Sequence, residues 1–390
     1  MKNRDDLPSK ITIAALALFL AGIAALNMML EYQRPADYAL GVEYARARVI
    51  AIESDTIAPD PAYDGIRIGR QDLVLEITSG KHRGEIIRTY NLVERIINNP
   101  AQIGTAFIIS SYDDFITCVV TDYDRRPVTF ALAALFAAGV ALLGGKKGIK
   151  SLAALVFTLM CIVFLFIPLI ISGVNPIAAA LPVVAASTVV TLWLPHGWSA
   201  KTVTAVISCA VCTLLAGLIS ALFGALANIT TMNTPEAESL LFIAQGTNLS
   251  FRHLLFAGIL FSSLGAITDT SMSISSAVFE MRALNPQIER ARLMRSGMNI
   301  GRDIMGTMTD TLILAFAGSS VNTIVTLYMY GIPYLRLINM QLLVVEVLRG
   351  LSSTTAVVAS IPVTTLIAVF FARGREADGN DGRGNARASL

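Results

Sequence analysis

The chain has 390 residues, of which 54% are hydrophobic and 15% charged, well under the roughly one quarter charged that soluble domains carry. A net charge of +2 says little by itself and calls for no nucleic-acid partner; four scattered cysteines give neither a disulfide framework nor a zinc spacing. Several apolar runs reach the ~20 residues a helix needs to cross a bilayer, so the composition describes a multi-pass protein of the cell membrane, with lipid as its surroundings.

The first of these runs is residues 11–30, "ITIAALALFLAGIAALNMML", behind a polar head with Lys2, Arg4 and Lys10. It is long and lacks a clean small-x-small cleavage site, so 1–30 reads as a cytoplasmic head with an uncleaved signal-anchor helix. From 31 to 127 the pattern changes to alternation. "ARARVIAIE", "DLVLEIT", "GEIIRTY", "TAFIIS" and "FITCVVT" predict strands, "SGKHRG" a hairpin turn, and "NLVERIIN" one short helix. A small β-barrel of the OB or SH3-like kind is expected there.

After "RRP" at 125–127 a seven-helix membrane core is expected over 128–372. Its spans fall at about 129–144, 151–173, 176–195, 202–226, 252–280, 303–330 and 351–372. Between the last two, "GIPYLRLINMQLLVVEVLRG" (331–350) places Arg336, Asn339, Glu346 and Arg349 on one side of a helix and predicts an interfacial segment. The Gly-rich, charged tail 373–390 is expected to be disordered. "CAVC" at 209–212 puts two thiols on one helical face, read as small packing residues.

Lys and Arg in short loops set the orientation. Lys146, Lys147, Lys150, Lys201, Arg282, Arg290, Arg292, Arg295 and Arg302 fall in alternate loops, while the "SGVNP" loop has none. The expected fold is therefore an α-helical polytopic membrane protein of about eight transmembrane helices. Both termini are inside, and the small β-barrel-like domain is extracytoplasmic, where it is free to meet a partner.

The chemistry concentrates in two hexapeptides, "GAITDT" at 265–270 and "GTMTDT" at 306–311. Ser262, Gly265, Asp269, Ser273, Ser276 and Glu280 are three or four residues apart and share one helical face. Asp303, Thr307, Asp310, Leu314 and Ala317 make a comparable face on the next span, with Gly306 beside it, and Ser353, Ser360 and Thr364 align on the last. Asp269 and Asp310 sit at similar depth, and the expected spans hold no Lys or Arg in their interiors to neutralise them. A carboxylate in a bilayer costs at least ~2.5 kcal/mol, so each must be protonated, hydrated or bound to a cation.

Asp269 and Asp310 are accordingly the candidate cation, proton or metal ligands, with Thr268, Thr270, Ser273, Ser276, Thr307, Thr309 and Thr311 as supporting oxygens. An all-oxygen set suits H⁺, Na⁺, Mg²⁺, Ca²⁺ or Mn²⁺. Taken singly, the hydroxyls have a plainer reading as interhelical packing groups. Gly265 and Gly306 are expected to serve packing or hinge roles. Glu280 and Asp303, near the inner interface, are secondary candidates whose plainer reading is solvation. His82, His196 and His253 are far apart in sequence, so no histidine metal site is expected.

At these same residues the chain resembles the YibE/F-like family of multi-pass bacterial membrane proteins. "GAITDTSMSISSAVFE" (265–280), the Arg-rich inner loop after it and "GRDIMGTMTDTLILAFAGSS" (301–320) carry the resemblance, which covers roughly 130–372. It implies the layout of anchor, external domain and membrane core, and no activity or site.

The two copies enter the membrane in opposite directions, as in the inverted repeats of many secondary transporters. A secondary transporter or ion-coupled exporter with a paired-aspartate site is the first expectation; with no phosphate-binding loop in the chain, an ATPase is not expected. A non-transporting sensor or assembly factor, using the external domain to bind a partner and the aspartates as interhelical glue, is the second. An intramembrane aspartyl protease is a remote third, because its Gly-x-Gly-Asp signature is missing.

Overall fold

The computed structural model describes residues 42–230 and 250–372. The expectations for the head and anchor helix 1–30 and for the tail from Arg373 lie outside the described residues. Two compact units are divided between Gly139 and Val140.

The first unit is a sheet of β1 (Glu43–Asp55), β2 (Ala58–Pro59), β3 (Arg67–Ile77), β4 (Ile86–Val93), β5 (Ala106–Ser111) and β6 (Cys118–Tyr123). All pairings are antiparallel, in the order β2-β3-β1-β5-β6, with β4 on the free side of β3. Strand alternation builds it directly. Ala45, Ala47 and Val49 of β1, Leu73, Leu75 and Ile77 of β3, and Phe107 and Ile109 of β5 point inward and form one core. Gly69, at φ 149°, lets β3 pass the Thr56 backbone: a Cβ there would sit 2.6 Å from the Thr56 carbonyl oxygen.

Two sequence expectations are corrected in this unit. The barrel is not closed. It is a half-barrel whose outer strands are β4 and β6, and the Thr89 hydroxyl takes the Cys118 carbonyl that a closing backbone ladder would need. "NLVERIIN" is not a helix either. Its first residues finish β4 with Asn91 and Val93 buried, and the rest is irregular chain. Gln71 fastens that chain from the core, accepting from the Ala101 N–H at 2.7 Å, while Asn91 donates to the Asn99 carbonyl at 2.8 Å.

The second unit is helical: α1 (Arg126–Cys161, begun in the first unit), a π-helical turn at Ile162–Phe166, α2 (Ile167–Ile171), α3 (Pro176–His196), α4 (Ala200–Leu226), α5 (Phe251–Leu284), α6 (Arg290–Ser319), α7 (Val321–Met329), α8 (Tyr334–Asn339) and α9 (Gln341–Phe371). Among the described residues five helices are long and apolar enough to cross a membrane, and six if α6 and α7, bent by 55°, count as one span. The expected eight are not established by them. One lies outside the described residues, and 129–144 and 151–173 fall in a single run, Arg126–Ile171, of 46 residues. That run is not one rod. The backbone leaves helical geometry at Gly145 (φ 53°, ψ −138°), and Gly148 approaches the Val140 carbonyl so closely that no Cβ would fit.

The region expected to be interfacial, 331–350, is also corrected. Only α8 is a short separate helix; from Gln341 the chain already belongs to α9. The charges that suggested an interface are neutralised on the helix. Arg349 pairs with Glu346 at 2.9 Å, and the Ser320 hydroxyl donates to the second Glu346 oxygen at 3.2 Å.

The α5 helix is central, packed against α3, α4, α6 and α9. Its Ala257, Ile259, Ile267, Thr270, Ser271, Ile274, Ser275 and Val278 are fully buried. Small residues permit the close approach. Gly217 on α4 faces Leu260, and Gly297 and Gly301 on α6 face Thr365 and Ile361 of α9 together with Val278 and Ile274 of α5.

Candidate functional site

The stripe expected on one face of α5 is one face, and the described residues leave it uncovered. Gly265, Asp269, Ser273 and Glu280 are exposed, and Ser262 and Ser276 half-buried, while the opposite side is sealed against α4 and α9. On α6, Asp303, Gly306, Thr307, Asp310, Thr311, Leu314 and Ala317 are likewise exposed. The packed side of α6 carries Leu293, Gly297, Gly301 and the partly buried Ile304, Met305, Met308 and Leu312.

Apolar neighbours of the two aspartates meet inside the bundle. Ile267 and Met272, which flank Asp269, share an apolar cluster with Met308 and Leu312, which flank Asp310. Among the described residues neither carboxylate makes a hydrogen bond or an ion pair, and none joins them to each other.

The supporting hydroxyls divide into two groups. Thr268 and Thr270 are buried on the two flanks of α5 either side of the exposed Asp269, donating to the Leu264 and Ala266 carbonyls at 2.7 and 2.9 Å. They pack α5 against its neighbours and are not brought to the carboxylate. Thr307 and Thr311 are exposed beside Asp310, donating to the Ile304 and Thr307 carbonyls at 3.0 and 2.7 Å, which leaves oxygen lone pairs outward. Ser273 and Ser276 lie along the Asp269 face. Thr309 is half-buried, and its Oγ1 is buried with no partner among the described residues.

Among the described residues nothing packs against Gly265 or Gly306. A Cβ at either position would meet nothing within 4 Å, and both lie inside continuous helices. The packing role expected of them falls to Gly297 and Gly301, which sequence reading passed over although they form a G-x-x-x-G step. Glu280 is exposed in the last turns of α5 and Asp303 is exposed midway along α6, and among the described residues neither forms an ion pair.

On α9 the expected seam is real but closed. Ser353 and Thr364 are fully buried, sharing hydrogen bonds of 3.2 Å with Ser262 and 3.1 Å with Ser271 of α5. Ser187, Thr213 and Ser220 add buried hydroxyls on α3 and α4 with no partner among the described residues. The helical unit thus has a hydroxyl-rich interior with two acidic faces beside it. At its inner end a cavity of about 930 Å³ is lined by Trp198, Ser199, Lys201, Phe279, Arg282 and Phe371, among others.

A second group of functional side chains lies in the sheet unit and was missed, because its members are far apart in sequence. Glu43, His82 and Asp114 place one ligand atom each within 4.8 Å of one another. The His82 ring is held by two carboxylates, Nδ1 to Glu85 at 3.0 Å and Nε2 to Asp114 at 2.9 Å. The Asp114 contact, with help from Glu85, raises the His82 pKa above its ordinary 6.5. No spacing signal exists for such a group; only strand pairing assembles it.

The family model for "YibE/F-like protein" matches residues 132–374, more than half of the chain, and spans every helix described above from α2 onward. No curated protein and no solved structure matches the chain.

Proposed function

The chain belongs to the YibE/F-like family of membrane proteins, and from that premise we propose that it is a secondary transporter or ion-coupled exporter whose Asp269 and Asp310 carry a hard cation or a proton. One observation carries the reading. Two acidic side chains stand on neighbouring packed helices of a membrane bundle, on faces the described residues leave uncovered, and no described basic group neutralises either one. Two unpaired carboxylates at ~2.5–3.5 kcal/mol each amount to a large share of the ~5–15 kcal/mol stability of an ordinary fold. Such a cost is offset when water, a proton or a cation meets the charge.

Asp269 with Ser273 and Ser276 on α5, and Asp310 with Thr307 and Thr311 on α6, supply oxygens alone. That donor set selects hard ions, and each carboxylate can equally take up a proton of its own. Loading removes the charge that opposes passage through an apolar layer, and unloading restores it, which is the minimum an exchange cycle requires.

The test is ion flux in proteoliposomes. The wild-type chain is expected to move one of H⁺, Na⁺, Mg²⁺, Ca²⁺ or Mn²⁺, and D269N or D310N to reduce that flux at least tenfold while the helical content is kept. A reconstituted, folded wild type that moves none of them returns the protein to the second reading, a sensor or assembly factor. The hydroxyl bonds between α5 and α9 favour that reading, because there the polar seam acts as interhelical glue. The protease reading has no supporting observation, since no hydrogen bond joins the aspartates as a proton-sharing dyad requires.

A further inference from the structure

We propose that Glu43, His82 and Asp114 form a binding site for a divalent transition metal of the zinc class on the sheet unit. The site stands whether or not the membrane helices transport an ion. Three separate segments meet there because β1 pairs with both β3 and β5. Glu43 opens β1 opposite Ser111, the last residue of β5, and the turn after β5 carries Asp114. At the same end of the sheet the Arg46 N–H donates to the Ser79 hydroxyl at 2.8 Å, which anchors the β3–β4 turn that carries His82.

The histidine is arranged as a metal ligand usually is. A ligating imidazole donates its other ring N–H to a carboxylate, which fixes tautomer and ring orientation. Here Glu85 takes Nδ1 at 3.0 Å, so Nε2 is aimed at Asp114 and Glu43. The ring itself is packed against Phe115, with centroids 5.4 Å apart, and its side chain is only 17% exposed. Nε2 and the Asp114 oxygen stand 2.9 Å apart, as for a shared proton. Two tetrahedral ligands at ~2.0–2.2 Å from zinc stand about 3.3 Å apart, so a metal in place of that proton needs a displacement of a few tenths of an ångström. Asp114 is exposed and able to make it.

Asp114 is also held from below. Asp113 accepts from the Ser111 hydroxyl and the Thr117 N–H, both at 2.8 Å, and this fixes the turn in which Asp114 and Phe115 take φ values of 55° and 66°. The charges fit as well. The three carboxylates Glu43, Glu85 and Asp114 face one ammonium, Lys81, and one imidazolium, leaving one negative charge unbalanced. Exchanging the Nε2 proton for a divalent ion removes that excess. Lys81, 3.1 Å from Glu43 and 73% exposed, holds its partner by a surface pair that a metal readily displaces. A donor set of one imidazole and two carboxylates favours zinc, cobalt or manganese over magnesium and calcium, which prefer oxygen alone.

The experiment is calorimetric titration of the purified full-length protein in detergent with zinc chloride, with magnesium chloride as control, in wild type and in the D269N/D310N background. One zinc per chain is expected in both, with no comparable uptake of magnesium. H82Q and D114N should each weaken binding at least tenfold, and E85Q by about 10–100-fold through loss of ring orientation. Affinity should fall as pH drops and protons compete for Nε2. Absence of zinc uptake, or uptake unchanged by both H82Q and D114N, overturns the site. Uptake lost in D269N/D310N and kept in H82Q also overturns it, and assigns the ion to the membrane acids instead. Should H82Q fail to fold, zinc-edge X-ray absorption on the wild type decides: an imidazole in the shell supports the site and an all-oxygen shell refutes it.

Discussion

Replacing Gly297 by alanine tests the packing that holds α6 against α5 and α9. A methyl group there would stand 2.7 Å from Thr365 Cγ2 on α9 and 3.0 Å from Val278 Cγ2 on α5. Carbon atoms rest at ~3.5–4.0 Å, so α6 must retreat by about 1 Å or both neighbours must turn. Neither turns easily, because both are β-branched and fixed at χ1, and Thr365 is tied by its hydroxyl to the Ile361 carbonyl at 2.7 Å. Overpacking of this kind costs ~1–3 kcal/mol, against which alanine gains ~0.8–1.0 kcal/mol of helix propensity over glycine. With two rigid obstacles the strain belongs at the upper end of that range, and a net loss of about 1–2 kcal/mol is expected. T365S removes the closer methyl, keeps the hydroxyl, and should cost ~1 kcal/mol alone. The double variant should be less destabilised than the sum of the singles by about 1 kcal/mol or more. Equilibrium unfolding of the four proteins in detergent measures the cycle. If G297A is as stable as wild type, or the cycle is additive within ~0.5 kcal/mol, the helices are not in contact at this glycine and the packing argument fails.

Further predictions concern the sheet unit. T89V should loosen the half-barrel by ~1 kcal/mol, seen as faster amide exchange in β6, because the Cys118 carbonyl loses its donor. R95A should destabilise the unit at neutral pH by leaving the Asp60 carboxylate, whose side chain is wholly covered, without its guanidinium. In the intact pair that guanidinium lowers the Asp60 pKa from 3.8, so its contribution is present above the ordinary carboxylate range and lost as pH falls through the lowered value; thermal unfolding from pH 6 down to pH 2 should show a sag that R95A lacks. His82 has the opposite sign. Its pKa is raised by Asp114, so in metal-free protein the clamp between the two turns is complete below pH 6.5 and released as pH climbs through the raised value. An NMR titration of the His82 ring should therefore give a midpoint above 6.5; a midpoint at or below it contradicts the contact geometry.

The sheet was readable because it is half-buried: alternate residues of β1, β3 and β5 must be apolar, and they are. The acidic faces of α5 and α6 were readable for the same kind of reason, since a helix repeats every 3.6 residues whatever packs against it. What periodicity does not give is which face meets a neighbour. Gly265 and Gly306 resemble Gly297 and Gly301 in sequence, yet among the described residues the first pair meets no neighbour and the second faces β-branched side chains. Thr268 and Thr270 flank Asp269 in the chain but are buried, Thr268 against Cys209 of α4. The early start of α9 was hidden because Glu346 is neutralised by Arg349 three residues on and by Ser320 from another helix. "NLVERIIN" has a helix-like spacing of apolar residues that Gln71, from another strand, overrides. The Glu43–His82–Asp114 group exists only once three strands are in register.

The repeated hexapeptide can now be separated into a part that recurs in space and a part that does not. In both copies the glycine precedes the aspartate by four residues, one turn earlier on the same face, and in both the face is exposed. A side chain at that glycine would stand directly beside the carboxylate, so its absence clears room for a hydrated ion at each aspartate. The threonines do not recur. Thr270 is fully buried, whereas its counterpart Thr311 is exposed, because α5 is enclosed by four helices and α6 packs chiefly against α9. What the two helices share is therefore a carboxylate with an empty turn beside it. On the proposed function, filling that turn should act as the loss of the carboxylate does: G265L and G306L are each expected to reduce ion flux at least tenfold while leaving thermal unfolding in detergent near that of wild type, since among the described residues a Cβ at either glycine meets nothing within 4 Å. Flux that survives both leucines would mean that the ion does not pass along these faces, and the paired-aspartate site would have to be abandoned.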